Sequence, residues 1–209
     1  GAGLARDALA ARVDGVPVDL DVSLDQDAEI EIVTVDSEEG LELLRHSTSH
    51  IMACAVQRLY HDVKFGIGPA IDDGFYYDFD LEHAISADEL EQIQEEMDRI
   101  VAEEISFERE ELPREEAREM MEELEQPYKV ELLDELDEQY VSLYRTGDFV
   151  DLCRGPHIPH TGDARAYALQ NVAGAYWRGD ENRPQMQRIY GTAFATENEL
   201  EEHLERLKE

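Results

Sequence analysis

The string HSTSH places His46 and His50 four residues apart, and CRGPH places Cys153 and His157 at the same spacing. On a helix, a spacing of four puts both imidazoles on one face, one turn apart. Cys153 and His157 instead bracket Arg154-Gly155-Pro156, a tight segment leaving a strand. Each pair alone also fits a surface or capping role, but the two together favour one shared pocket. Such a pocket has three chemistries open to it: a closed structural zinc site, a catalytic zinc with water in one position, or a metal-free site whose imidazoles position or deprotonate a water. Spacing does not choose among them. A cysteine-protease arrangement, with Cys153 as nucleophile and a histidine base, is a fourth, but the local strings that mark such enzymes are missing.

These residues need elements to carry them. Leu41, Leu44, Ile51, Ala55 and Leu59 share one helical face, which predicts a helix from Leu41 to about Tyr60 with His46 and His50 inside it. Thr48, Ser49 and Cys54 are read as filling of that helix. VKFGIGPAIDDGFYYDFDL then reads as a hairpin turning at Asp73-Gly74. Ser86 and Glu89 form a capping-box signature opening a helix over 86–105, with Leu90, Ile93, Met97, Ile100 and Val101 as its apolar stripe. SFEREEL alternates as a short strand, and Pro113 suits the first position of a helix to about Glu125. YVSLYRTGDFVDLCRG, GAYWRG and QMQRIYGTAFA read as strands, and ENELEEHLERLKE as a final helix. At the front, residues 12–35 read as two short strands, ARVDGVPVDL and AEIEIVTV, around a turn at Asp14-Gly15, before an acidic junction from Asp36 to Gly40. The expected class is α+β: a mostly antiparallel sheet packed with helices, including a long central acidic helix, behind a small β-rich segment.

The charge is extreme, with 51 acidic against 18 basic residues for a formal net charge of −33. That balance argues against a polyanionic partner and raises the question of disorder. Strand-like runs such as EIEIVTV and GFYYDF answer for a packed core. No apolar stretch approaches a membrane span, so a soluble chain without a membrane partner is expected. Two cysteines make no disulfide framework, and a reducing cytoplasm is the expected setting. The opening GAGLARDALAARVDG lacks an initiator Met and a signal core, as expected for the interior of a longer gene product. Lysine is confined to Lys64, Lys129 and Lys208, against fifteen arginines, which suggests adaptation to a cytoplasm of very high salt. Residues 140–195 escape the acid, with five acidic and six basic residues, Arg154, Arg165, Arg178, Arg183 and Arg188 among them. A phosphate backbone would dock there, unless the region is simply more buried.

HSTSHIMACAVQRLY, GIGPAIDDGFYYDFDL, YKVELLDE, DFVDLCRGPHIPHTG and AGAYWRGDENRPQMQRIYGTAFAT resemble the successive motifs of the second N-terminal domain of bacterial-type threonyl-tRNA synthetases, from about Leu41 to Glu209. Residues before Asp36 resemble the tail of the small ubiquitin-like TGS domain that precedes it. The resemblance implies three parts: the C-terminal part of a TGS domain over 1–36, a tRNA editing domain over 37–195, and over 196–209 the start of a linker helix toward an aminoacylation core outside these residues. In that family the domain removes serine wrongly attached to threonine tRNA. Serine lacks one methyl of threonine, a difference of only about 1–3 kcal/mol in a binding pocket. A synthetic site shaped for threonine therefore admits serine, and a second, tighter pocket must remove it.

Carried over by motif, His46, His50, Cys153 and His157 frame the pocket, and Lys129 stabilises developing charge. Tyr77 and Asp151 line the pocket or recognise the substrate's amino and hydroxyl groups, and Arg154 contacts substrate. Phe149 departs from the pattern YVDLCRGPH, which has Tyr there. The resemblance implies editing without a cofactor; zinc held by His46, His50, Cys153 and His157 is the alternative, as in the related alanyl domains. ATP, magnesium and a zinc belong to the ligase core. The implied partner is tRNA(Thr) carrying serine at its 3′ end, in the cytoplasm. The parent enzyme would be a homodimer through its core, and this segment a monomer. A free-standing editing factor and a tRNA-binding module without activity are the other readings; all four pocket residues being present favours the enzyme.

The charge yields one outcome to test. The urea midpoint of the chain should rise as KCl approaches molar concentration, because counterions relieve self-repulsion of the acidic surface. A midpoint that falls or stays flat would remove the high-salt reading.

Overall fold

A computed structural model describes residues 2–208 of the chain. Its centre is α2, Glu38–Leu59, the longest helix at 22 residues. Ser37 caps it by accepting the Gly40 N–H. From Leu43 to Val56 it is buried almost all round, polar HSTSH residues included, because sheets and a helix pack on every side of it. Thr48 fits the reading as filling, since its hydroxyl returns to Leu44 O on the same helix.

In front of α2 lie α1 (Ala2–Asp7) and a three-stranded sheet, β2-β1-β3, from β1 (Ala8–Val13), β2 (Val16–Val18) and β3 (Ile30–Thr34). ARVDGVPVDL is thus not one strand but a hairpin. Asp14 and Gly15 form its two-residue turn with φ of 50° and 83°, the positive values that suit a twisted hairpin. Leu9, Ala10 and Val33 of this sheet are buried in the same core cluster as α2.

A second sheet, in the order β10-β11-β6-β4, comprises β4 (Lys64–Phe65), β6 (Gly74–Asp80), β10 (Ala166–Tyr176) and β11 (Gln185–Phe194), with β5 (Ala70–Ile71) also paired to β6. Phe75, Tyr77 and Phe79 alternate onto its buried face. The expected turn at Asp73-Gly74 falls one residue earlier, at Asp72-Asp73, since Ile71 pairs with Gly74. Gly74 answers a different need: a Cβ there would stand 2.1 Å from Gly191 O on β11.

The third sheet, β7-β8-β9, is formed by β7 (Phe107–Pro113), β8 (Tyr140–Thr146) and β9 (Phe149–Leu152). Every strand pairing among the described residues is antiparallel. The acidic middle is divided into α3 (Ala87–Ala102), α4 (Arg114–Glu123) and α5 (Pro127–Asp134). α3 starts at the predicted Ser86–Glu89 capping box and buries Ile93, Met97 and Ile100. Pro113 closes β7 and caps α4 rather than occupying its first turn. YKVELLD lies in α5, which opens on Pro127, a residue suited to the first helical position. In GAYWRG the strand stops at Tyr176, and Trp177–Gly179 form a 3₁₀ turn. α6 (Glu197–Arg206), capped by Thr196 and Glu199, packs on β10 and β11. Among the described residues no helix is long and apolar enough to cross a membrane.

Two substitutions rank these devices. Ser86→Ala should cost about 0.5–2 kcal/mol in urea unfolding, the usual loss of an N-cap. Gly74→Ala should cost more, because its methyl meets backbone rather than a movable side chain; the reverse ranking would refute the close-approach account.

Candidate active site

The two histidine-bearing strings meet. α2 delivers His46 and His50, while β9 and the loop leaving it deliver Asp151, Cys153 and His157. One donor atom from each of His46, His50, Cys153 and His157 lies within 4.8 Å of the others. His46 Nε2 is 3.1 Å from Cys153 Sγ, and His157 Nε2 is 3.3 Å from the same sulfur. The rings pack as well: His157 is stacked against His46 at 4.7 Å and against Phe107 at 4.9 Å, with Tyr144 edge-on at 4.5 Å.

The hydrogen-bond partners assign the protons. Gly68 O, which only accepts, lies 3.2 Å from His46 Nδ1, so that nitrogen carries the hydrogen and Nε2 is left with a lone pair toward the thiol. The Cys153 S–H donates to it, and the sulfur in turn accepts the Gly155 N–H at 3.3 Å. His157 therefore presents its Nε2–H to the sulfur, and its Nδ1 accepts the Ser47 hydroxyl at 2.9 Å. Ser47 Oγ meanwhile accepts the Ile158 N–H. The Nδ1 of His50 is buried and finds no hydrogen-bond partner among the described residues.

Burial sets the charge states. It depresses all three histidines, and His50 and His157 well below the ordinary value; His46 and then Lys129 add to the effect at His50, and His50 and then His46 at His157. Burial, followed by the Asp151 carboxylate, pushes the Cys153 thiol up to about 12. At neutral pH the cluster is therefore three neutral imidazoles around a protonated thiol, the reverse of the activated thiolate that a cysteine protease requires.

Behind His50 sits a second, closed network. Asp151 Oδ2 lies 3.4 Å from His50 Nε2 and accepts the Tyr77 O–H at 2.7 Å. Lys129 Nζ, reaching in from α5, is 2.5 Å from Asp151 Oδ1 and donates to Tyr77 Oη at 3.1 Å. Burial and Asp151 hold the Tyr77 phenol well above its usual range. Phe149 is fully buried, edge-on to His50 at 5.9 Å and Phe65 at 5.0 Å, so the missing hydroxyl stands in an aromatic contact.

Of the residues singled out in the sequence, His46, His50, Cys153, His157, Tyr77, Lys129 and Asp151 come together. Arg154 does not: its side chain is 83% exposed and paired with Glu138 at 2.8 Å. The cluster opens at His46 into a cavity of about 380 Å³, walled by Pro17, Val33, Leu43, Pro69 and Pro156. Ser47 belongs to the site beyond the sequence reading, and Ser49, read as filling, has its hydroxyl both 2.7 Å from His46 O on its own helix and 2.8 Å from the Gly68 O that faces His46. Their signal was two short hydroxyl residues on the face between two histidines. Asp19, which accepts the His157 N–H at 2.9 Å, has no such signal.

Most arginines of 140–195 are tied up in ion pairs, while Arg145 and Arg165 lie exposed without one among the described residues. Arg178 is bidentate to Glu135, Arg183 pairs with Glu131, and Arg188 is bidentate to Asp78 while lying 3.9 Å over the Tyr76 ring. The acids that pair with Arg178, Arg183 and Arg188 come from outside the window.

The donor set is compatible with zinc. Tetrahedral bonds of the usual length place ligand atoms about 3.3–3.8 Å apart; the two histidine–sulfur spacings, 3.1 and 3.3 Å, are near that range, and the cluster as a whole spans up to 4.8 Å.

Residues 141–190, running from β8 through the Cys153–His157 loop into β11, match the threonyl and alanyl tRNA synthetase second additional domain. This stretch belongs to that domain family. The two other cluster histidines, His46 and His50 on α2, lie outside the matched residues. Over 209 residues, all of this chain and 33% of the relative, it is 50% identical to the threonine–tRNA ligase of Citrifermentans bemidjiense. It is 55% identical over 205 residues, 98% of the chain and 32% of the relative, to that of Nitratidesulfovibrio vulgaris strain DP4. With the threonine–tRNA ligase of Acidithiobacillus ferrooxidans the identity is 52% over 210 residues, 100% of the chain and 33% of the relative. The chain thus spans about a third of the length of the curated relatives it matches.

The depressed histidines make stability depend on pH with a definite sign. Below the unfolded value of 6.5 the unfolded chain takes up protons that folded His50 and His157 refuse, so stability falls as pH falls. One unit below that value, each contributes up to about 1.4 kcal/mol of loss. The urea midpoint should drop through this window, with a shallower slope for His50→Gln; parallel slopes would contradict the assignment.

Proposed function

We propose that this chain is the editing module of a threonine–tRNA ligase and hydrolyses serine from wrongly charged tRNA(Thr). What carries the reading is the convergence of His46, His50, Cys153 and His157 in one cluster, on a chain half identical to threonine–tRNA ligases throughout its length. The scissile bond joins the seryl carbonyl to a ribose oxygen of the terminal nucleotide. Its hydrolysis requires a water stripped of a proton, stabilisation of the oxyanion and a proton for the departing ribose hydroxyl.

Neutral imidazoles suit the first and third tasks. Held below their ordinary pKa, they keep a lone pair at working pH, and an imidazole that takes the water's proton returns it to the leaving oxygen. His46 stands at the cavity mouth and is the ring that substrate meets first. Lys129 supplies positive charge behind the cluster, while Asp151 and Tyr77 orient His50 and offer acceptor and hydroxyl groups for the seryl moiety. The thiol is a packed hydrogen-bonding group rather than a nucleophile. Arg154 enters this reading only as an outer contact to the tRNA, after leaving Glu138. Rejection of threonine follows from a pocket too tight for one further methyl, on the double-sieve logic.

The reaction as written needs no metal. If zinc is resident, His46, His50, Cys153 and His157 hold it, and it supplies Lewis acidity and a more acidic water. The partner is tRNA(Thr) in the cytoplasm, and threonine attachment with ATP belongs to the remainder of the ligase.

Purified chain in high salt should deacylate seryl-tRNA(Thr) and spare threonyl-tRNA(Thr), and His50→Ala should slow the reaction by about 10²–10⁴-fold, the usual range for a lost acid–base group. Survival of both esters, or a parental rate in the variant, would end the editing reading. Metal analysis of the same sample separates the two forms of the site.

A further inference from the structure

Asp19 follows β2 directly and belongs to the N-terminal sheet, yet its carboxylate ends inside the site. Its Oδ1 accepts the His157 N–H at 2.9 Å, and its Oδ2 accepts the Tyr144 O–H at 2.6 Å. Tyr144 is 1% exposed and stands edge-on to the His157 ring. Its hydroxyl occupies the place a side chain on Gly155 would take, since a Cβ there would lie 1.9 Å from it. Gly155, at φ +67°, turns its N–H to Cys153 Sγ.

One carboxylate therefore fastens the loop twice, at the His157 backbone and, through the Tyr144 phenol, against Gly155. Both groups that loop presents, the thiol and the His157 imidazole, take their positions from it. The chain around Asp19 gives no packing reason for the contact, because Leu20, Val22 and Leu24 lie exposed beside it. A carboxylate accepting two hydrogen bonds with both oxygens directed fixes geometry more tightly than apolar contact of the same area.

We infer that Asp19 is a positioning residue of the hydrolytic centre, through which the N-terminal sheet holds the Cys153–His157 loop in register with the histidines of α2. The inference rests on the hydrolysis proposed above, and it extends the working site to the segment that precedes α2. Asp19 touches no substrate; it acts through the His157 amide and Tyr144. The sheet it comes from is then a component of the site rather than a neighbour of it.

The test uses the full chain with Asp19→Ala, Asp19→Asn and Tyr144→Phe, and two readouts. The first is kcat and KM for seryl-tRNA(Thr). Because a misplacement of about 1 Å costs on the order of a hundredfold, Asp19→Ala should lower kcat about 10–100-fold. KM should stay within about threefold, as for an interaction that matters in the transition state. Asp19→Asn should recover most of the rate, since its amide oxygen still accepts the His157 N–H, and Tyr144→Phe should fall between. The second readout is alkylation of Cys153 by iodoacetamide, followed by mass spectrometry at that residue: faster in Asp19→Ala, parental in Asp19→Asn. Parental kcat and alkylation in Asp19→Ala would overturn the inference. So would an Asp19→Asn variant as slow as Asp19→Ala with the same fall in Tm, which would mark a role in general stability. If the parent leaves seryl-tRNA intact, the hydrolysis reading fails, while the alkylation series still decides whether Asp19 holds the loop.

Discussion

A helix buried on every side has no solvent to satisfy the polar side chains in its middle, and α2 carries five in succession, His46 to His50. Each unpaired donor or acceptor there would cost on the order of 1–3 kcal/mol. Thr48 turns back to Leu44 O on the helix itself, His50 Nδ1 finds no partner among the described residues, and most of the rest rely on what packs against the helix. Gly68 O serves His46 and Ser49, the Cys153–His157 loop serves His46 and Ser47, and Asp151 faces His50. Correct packing of the sheets and correct assembly of the site are consequently one event. The short side chains of Ser47, Thr48, Ser49, Ala53 and Ala55 let the sheets approach closely enough for this.

The same constraint operates one layer deeper. Lys129 and Asp151, 3% exposed each, are tolerable in the interior only as a pair. Tyr77 fills the remaining valence by donating to one and accepting from the other. Through these three groups α5, β6 and β9 are tied behind the histidines, so an element that bears no cluster residue still takes part in placing one. Phe149 completes the wall by packing rather than by hydrogen bonding.

What could be read from the sequence was what is local. The period of α2, the Ser86–Glu89 box, the Asp14-Gly15 turn and the two spaced pairs each write their physics within a few residues, and each is found in place. The family motifs added Lys129, Tyr77 and Asp151, whose convergence no spacing announces. The contacts that escaped are those made across the chain. Asp19 meets His157 over 138 residues. Gly74 looked like a turn residue because Asp-Gly usually is one, while its actual demand comes from a strand that arrives 117 residues later. Half the arginines of 140–195 likewise find counter-charges outside that window, from α5 and β6.

His157 is held by two stacked rings and an edge, and its two nitrogens are engaged by Ser47 and Cys153. A ring so confined has little torsional freedom left to lose. Many imidazoles must swing between donor and acceptor during a reaction cycle, and that motion carries an entropic toll and a time of its own. This one is set like a fixed electrode. Half-buried His46 at the cavity mouth is engaged at both nitrogens too, by Gly68 O and Cys153 Sγ, so neither ring turns without giving up a partner.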